Sequence, residues 1–362
     1  MPLFGARTYV GIDLGSHAIK AVEVARGPQG IRILRAGSVP TPSGAIKDGV
    51  AADPEILGGA IRTLLNQLRI QPRRVLADIG GQAVIVREIK LPEMTREEVS
   101  QAVKFEAERY IPYGVKDMVV DFDIVGEILE GGQRRLLVLL VAARKELVDR
   151  QLKALEVAGI HPEILDVEAF AVLRGLRGSP LAQVPDGEAL VYVDIGADAT
   201  DILVTEGESL RLMRNVSTGG NNLTRAISLA MDLEFEAAEE LKTRQGTLLP
   251  EEVEGDRTSR ELYDIMVPHL MDIAAEIRRS VDYFQTRFQK TRMGKVFLSG
   301  GTAHLKGLDR FLATELGLEV VVGDPFEGCI CDERTFPEEV RRRIGPAMAA
   351  AIGLAKRGAE EL

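Results

Sequence analysis

Two stretches of this chain carry one short pattern at an offset of 181 positions, the shift that lays Val10 on Val191. The same shift pairs Ile12 with Val193, Asp13 with Asp194, Leu14 with Ile195, Gly15 with Gly196 and Ala18 with Ala199. Apolar matches alone would say only that both stretches are strands. Identity at the Asp and the Gly, where chemistry and not burial selects the residue, argues for an internal duplication. Each copy is an apolar strand ending in Asp-x-Gly. That ending puts a carboxylate and a stretch of backbone without a side chain at the mouth of a sheet, where a phosphate can approach closely.

The duplication extends to the element pattern. Residues 9–14, 19–24 and 31–36 read as a three-strand meander, followed by an amphipathic helix over 54–69 and a buried strand over 74–79. Asp53 and Pro54 supply the start signal of that helix. In the second half the strands fall at 189–195, 200–205 and 210–216, then come Gly219-Gly220 and a helix over 222–231. A chain of 362 residues is long enough for two full cores. The turn-rich segments Gly178-Ser179-Pro180 and Pro185-Asp186-Gly187 place a boundary there, giving domains over 1–185 and 186–344. Two insertions interrupt the repeat. The first, over about 83–158, is expected to carry a helix at 96–110, strands at 118–127 and 135–142, and a helix at 145–158. The second, over about 233–293, is expected to hold two helices around a charged stretch, 244–260, which lacks periodicity and aromatics and is expected to be a surface loop.

Charge and motif content exclude several classes. A net charge of −10 leaves no basic excess for a nucleic-acid footprint. The apolar run 136–143 falls short of the roughly 20 residues that cross a bilayer, so it is expected to be a buried strand, with membrane contact only through a partner. No leader of the secretory kind opens the sequence, and Cys329 and Cys331 are expected to be reduced thiols of a cytoplasmic protein. Four scattered histidines make no metal site, and the Walker, dinucleotide and zinc-protease signatures are absent.

Asp13 and Asp194, if they converge, suit a Mg²⁺ ion that keeps several waters and is held further by nucleotide phosphates. Ser16, the His17 backbone and Lys20 add phosphate contacts to the first corner, Lys20 as a point charge from the second strand. Gly300-Gly301-Thr302 lies between a buried strand and a helix, where a flat ligand can rest on backbone. Glu239 and Lys242 sit three apart on one helical face.

The stretch Val10-Gly11-Ile12-Asp13-Leu14-Gly15-Ser16-His17 resembles the first phosphate motif of the actin, heat-shock chaperone and sugar-kinase superfamily. Val193-Asp194-Ile195-Gly196 is similar to its second phosphate motif, and Leu298-Ser299-Gly300-Gly301-Thr302 to its adenosine motif. Residues 165–175 and 345–354 resemble its two connecting helices. The resemblance implies an α/β, actin-like fold: two duplicated RNase H-like domains flank a nucleotide cleft, the C-terminal helix 345–358 completes the first, and ATP and Mg²⁺ are the cofactors. It places Gly11, Gly219, Gly220, Glu239 and Lys242 among the nucleotide contacts and Asp166 at the position that orients the attacking water, with Glu168 expected to face elsewhere. Asp166 is shorter than the usual Glu or Gln, so slow hydrolysis is expected. The first insertion sits where FtsA carries its own. The wording around Asp166-Val167-Glu168-Ala169-Phe170-Ala171 and Ile19-Lys20-Ala21-Val22-Glu23-Val24 is similar to the PilM family of type IV pilus assembly. That similarity implies a cytoplasmic ATP-binding protein that grips the N-terminal peptide of PilN, and through it the inner-membrane platform and pilus motor. The nucleotide motifs lie outside the first insertion, whose strands 118–127 and 135–142 can leave a sheet edge, so an extended peptide is expected in a groove between it and the first domain, with an insertion that only braces the fold as the alternative. An FtsA-like filament former and a small-molecule kinase of the same superfamily stay open as alternatives, as does self-association.

Overall fold

The structure, a computed structural model, describes residues 7–81, 84–110, 116–179, 182, 187–288 and 291–362. Residue 83, at the head of the expected first insertion, and much of the expected domain boundary, including 180 and 183–186, lie outside the described residues.

In chain order the first half runs β1 (Thr8–Leu14), β2 (Ala18–Gly27), β3 (Gly30–Pro40), the short pair β4 (Ile46–Lys47) and β5 (Val50–Ala51), α1 (Pro54–Leu68), and β6 (Val75–Ile79). It continues with β7 (Val84–Pro92), α2 (Arg96–Tyr110), β8 (Met118–Glu130), β9 (Gln133–Arg144), α3 (Lys145–Val157), β10 (Ile164–Val167) and α4 (Glu168–Leu176). The second half holds β11 (Glu188–Ile195), β12 (Thr200–Glu206), β13 (Ser209–Val216), α5 (Gly220–Met231), α6 (Phe235–Gln245), α7 (Pro250–Gly255) and α8 (Arg257–Arg287). After it come β14 (Arg292–Ser299), α9 (Leu308–Leu316), β15 (Glu319–Val322), α10 (Glu338–Ile344) and α11 (Ala349–Glu361).

The duplication is plain in the sheets. The first has the order β10-β6-β1-β2-β3 and the second, reversed, β15-β14-β11-β12-β13. In each, the strand that ends in Asp-x-Gly is antiparallel to the next strand and parallel to the one on its other side. Both Asp-x-Gly corners therefore emerge from the middle of a sheet at the carboxyl end of a strand, where α/β folds place ligands. The chain adopts the actin-like architecture of two sheet-containing halves.

Two helices fill the space between the sheets. Helix α11 lies along β1 and β2 of the first sheet, while α4 packs on α11 and touches the second sheet at β11 and β12. The two cross backbone to backbone: a Cβ on Gly353 would stand 1.7 Å from the Ala171 carbonyl oxygen, and one on Gly175 2.2 Å from that of Ala349. Gly11 belongs to the same contact, since a Cβ there would meet the Ala351 oxygen at 2.1 Å. The expected helix over 345–358 begins as a 3₁₀ turn at Gly345–Met348 and is regular from Ala349 onward.

The first insertion has two parts. Strands β7, β9 and β8 make a separate sheet whose apolar face is covered by α2, with Val99, Val103 and Ala107 against Val138, Leu140 and Ala142. Helix α3 instead joins the core of the first half, burying Ala154 and Leu155 beside Leu57, Ile61 and Leu65 of α1. In the second insertion the stretch 244–260, expected as a surface loop, is largely helical: it contains α7 and the start of α8. Leu248 and Val253 are buried there, and Asp256 caps α8 by accepting from the Ser259 N–H at 2.7 Å. Two apolar anchors and one cap suffice to order a segment whose average composition is that of a loop.

Candidate nucleotide cleft

Between the halves lies a cavity of about 620 Å³ that both Asp-x-Gly corners enter. From the first corner Asp13, Gly15, Ser16, His17 and Lys20 line it; from the second come Asp194, Gly196 and Asp198. The corners are tight because backbone closes them. Thr41 donates its N–H to the His17 oxygen at 3.0 Å and its hydroxyl to that of Gly15 at 2.6 Å. At the second corner Gly196 N–H bonds the Ala199 oxygen at 2.9 Å, and the α5 N-terminus is tied down by Gly220 N–H to the Gly196 oxygen, also 2.9 Å.

The floor of the cleft is rich in carboxylates. Lys20 Nζ donates to Asp13 Oδ2 at 2.7 Å, and Ser299 Oγ to Asp194 Oδ1 at 2.6 Å. Asp78, at the end of β6, accepts the Leu14 N–H at 3.0 Å and so fixes the end of the Asp13 strand. Glu168 and Asp201 complete the set. Lys20 is the cation set among these carboxylates, with Asp13, Asp78, Glu168 and Asp194 acting on it, and the consequence is proton affinity. Burial, and then the Asp13 charge, push Asp78 and Glu168 well above the ordinary carboxylate range. Burial raises Asp194 to about 6 and Asp201 to about 7, the latter against an opposing hydrogen bond from Asn215. For Lys20, burial works against the charge, but Asp13, with Glu168 and Asp194, outweighs it and its pKa rises.

Asp13 Oδ1 and Asp78 Oδ2 are buried with no hydrogen-bond partner. Orphaned carboxyl oxygens in an acid-rich cleft fit a divalent cation. Among the described residues no group of three or more His, Cys, Asp or Glu is placed to enclose a metal by itself. The fit is therefore to an ion held by one or two carboxylates, with water and ligand oxygens in its other positions, as Mg²⁺ prefers.

The opposite wall is built by Gly300, Gly301, Thr302, Gly220, Glu239 and Lys242. Gly300 has φ +88°, and a Cβ there would meet the Ile195 oxygen at 2.3 Å, so only glycine fits where β14 passes the end of β11. Thr302 Oγ1 donates to the Gly196 oxygen at 3.1 Å, locking this turn to the second corner. Lys242 Nζ reaches Glu239 at 2.6 Å, Thr224 Oγ1 at 2.7 Å and the Gly220 oxygen at 3.1 Å. Burial opposes charge on Glu239, yet Lys242 and Thr224 hold its carboxyl below the ordinary value, while burial lowers Lys242 against the pull of Glu239. His304, Arg343 and Met348 also line this wall, with His304 Nε2 2.6 Å from the Arg343 oxygen.

Three of the expected contacts sit elsewhere. Gly11 serves the α11 crossing and does not reach the cavity. Gly219 lies behind the second corner, where a Cβ would stand 2.6 Å from the Ala197 oxygen, while its neighbour Gly220 is exposed to the cleft. Asp166 is turned away from the cavity: Arg174 reaches its Oδ2 and Arg357 its Oδ1, each at 3.0 Å, and the Val167 N–H donates to Oδ1 at 2.8 Å. The carboxylate that does line the cleft from this segment is Glu168, expected to face elsewhere. The reason is local: 164–167 is a strand, with Asp166 opposite Asp78, and the helix begins only at Glu168.

Residues 11–359 match the family described as type IV pilus assembly protein PilM. The chain belongs to the PilM family. A solved structure titled a PilM-PilN type IV pilus biogenesis complex is 34% identical, with a TM-score of 0.85 over 97% of this chain and 98% of that one. The fold of this PilM-family chain is also shared with more distant proteins: MreB5 of Spiroplasma citri bound to AMPPNP has a TM-score of 0.51 at 13% identity over 93% of this chain and 98% of that one. Among curated sequences, the cell division protein FtsA of Neisseria meningitidis is 23% identical over 95% of this chain and 88% of its own length. No helix among the described residues is long and apolar enough to cross a membrane.

Several residues in or beside the cleft of this PilM-family chain were not expected from the sequence. Asp48 and Gly49, between β4 and β5, reach the cavity because Gly49 packs on Gly80, where a Cβ would come within 2.9 Å of the Gly80 oxygen. Asp78, beside the cavity, did carry a signal: Asp78-Ile79-Gly80 is a third Asp-x-Gly at the end of an apolar strand, like those at Asp13 and Asp194. Asp201 and Asn215 arrive from strands that read as plain core.

Proposed function

We propose that this chain binds Mg-ATP in the cleft and acts as the cytoplasmic nucleotide-binding member of a type IV pilus assembly platform, holding the N-terminal peptide of PilN through its first insertion. The observation that carries the nucleotide reading is the convergence in one cavity of Asp13, Asp194, Lys20, the Gly300-Gly301 turn and the Glu239–Lys242 pair. Lys20, the backbone of Ser16 and His17, and the α5 N-terminus meet the phosphates; a helix N-terminus favours anions. Gly300, Gly301, Thr302, Glu239 and Lys242 hold the adenosine, with glycine backbone against its flat face. Bound Mg²⁺, held by Asp13 and Asp194 through water, supplies positive charge against the phosphates and the carboxylates.

Glu168, with its carboxyl exposed to the cleft, takes the water-orienting role. Its high proton affinity in the nucleotide-free cleft makes it a poor base there, so hydrolysis by the isolated protein is slow. The partner reading rests on 34% identity over 97% of the chain to a protein whose solved complex contains PilN. Anchorage at the inner membrane through PilN follows from it.

Calorimetry tests the site. Asp13→Ala and Asp194→Ala should each weaken Mg-dependent ATP binding by tenfold or more, and unchanged affinity in both would remove the assignment. The partner role is tested with a variant lacking residues 84–143, which retains α3 and hence the first core. It should still bind ATP and lose the PilN peptide, and equal peptide binding would place the partner elsewhere.

A further inference from the structure

A second cavity of about 520 Å³ lies far from the nucleotide motifs, between the inserted sheet and the second half. It is bordered by an unbroken run on β7, Val86–Arg87–Glu88, and by another on β13, Leu210 to Arg214. Successive strand residues point to opposite faces, so a groove touched by consecutive residues opens on the strand edge. Both strands are in fact edge strands of their sheets. They differ in readiness. The β13 ladder is broken near Arg211, where its register with β12 shifts, whereas β7 pairs with β9 without a shift. A bulge blunts an edge and a regular ladder leaves it open.

The chemistry of the walls is specific. Half-buried Val86, Leu139, Leu210 and Met213 give an apolar floor. Five arginines line the groove: Arg87, Arg211, Arg214, Arg279 and Arg287. Three carboxylates balance them: Glu88 in the wall, Glu206 on Arg211 at 3.0 Å, and Glu276, which is shared by Arg214 and Arg279. Arg87 and Arg287 have no carboxylate partner among the described residues; Arg87 donates to the oxygen of its neighbour Val86 at 2.8 Å, and Arg287 to the Tyr283 hydroxyl at 3.1 Å. A local cationic excess in a chain of net charge −10 marks the groove off from the rest of the surface.

We infer that this groove docks an extended acidic segment of a partner protein, added as a strand to β7. Main-chain hydrogen bonds to the β7 edge would hold it, replacing the Arg87 contact with the Val86 oxygen. Its apolar side chains would settle on the floor and its carboxylates would meet Arg87 and Arg287 in charge-assisted pairs. The site is separate from the nucleotide cleft, and it borders the same insertion that the proposed PilN contact uses.

The test uses the full chain and a fluorescein-labelled, end-blocked peptide of alternating glutamate and valine, ten residues long, read by fluorescence anisotropy. It should bind in a salt-sensitive manner, while an alternating lysine and valine peptide and a copy of the acidic peptide N-methylated at alternate residues should not. The double variant R87E/R287E should lose at least tenfold in affinity and R87K/R287K should retain most of it, with both variants unfolding within a few degrees of the parent. Failure of the acidic peptide to bind, equal binding by the N-methylated or lysine peptide, or equal binding by R87E/R287E would overturn the inference. Concentration-dependent self-association of the parent, abolished by R87E/R287E, would give the groove to a second copy of the chain and overturn it too.

Discussion

Gln151, on helix α3 of the first insertion, donates its side-chain amide to the main-chain oxygen of Asp78 at 2.9 Å, while its own carbonyl oxygen accepts the Ala51 N–H at 3.0 Å. Asp78 in turn holds the Leu14 N–H beside Asp13. One buried amide thus ties the element that leaves the inserted sheet to the strand that presents the first cleft carboxylate. Gln151→Leu leaves two buried backbone groups unpaired, at about 1–3 kcal/mol each. It should lower stability in urea and weaken ATP binding together, even though residue 151 lies outside the cleft. Loss of stability with no change in ATP affinity would limit Gln151 to bracing the core.

Asp201 gives a pH dependence whose sign follows from its surroundings. Its folded value of about 7 is above the 3.8 of the free side chain, so the folded state binds the proton more tightly. The stabilisation this provides is complete below about 3.8 and is lost as pH rises through about 7, with Asp194 acting in the same direction up to about 6. The nucleotide-free protein should therefore melt at higher temperature at pH 6 than at pH 8. Asp201→Asn should narrow that gap by raising the melting temperature at pH 8. A parent whose stability increases from pH 6 to pH 8 would contradict the burial of charge in the cleft.

Glu168 and Asp166 should separate function from structure. Glu168→Gln is expected to slow single-turnover phosphate release by at least tenfold with ATP affinity retained, within the usual range for a positioned acid or base. Asp166→Asn should leave release nearly unchanged but cost about 1–3 kcal/mol in denaturant unfolding, because Arg174 and Arg357 lose their shared partner. The reverse pattern would return the role to Asp166.

Gly300→Ala should be among the most damaging single substitutions on the cleft wall. The backbone there has φ +88° and ψ 168°, and the new methyl would press on Ile195 in the central strand of the second sheet. About 3 kcal/mol or more of stability should be lost, measured by urea unfolding. Gly301→Ala, where a Cβ meets nothing within 4 Å, is the matched control and should cost far less.

The amino-acid sequence by itself determined the duplicated strands, both Asp-x-Gly corners, the Gly300 turn and the Glu239–Lys242 pair. Each of these rests on local chemistry: a period of two, a backbone angle open only to glycine, or a helical spacing of three. The tertiary structure alone decided the rest, because those features depend on what lies across a contact. Gly11 read as a phosphate glycine and proved to be the seat of helix α11, since backbone approach from a helix and from a ligand make the same demand on a residue. Asp166 and Glu168 exchanged places because the strand ran further than the motif suggested. The acidity of the cleft, gathered from Asp13, Asp78, Glu168 and the paired Asp194 and Asp201, exists only once four separate segments meet out of water, where burial and neighbouring charge raise their proton affinity.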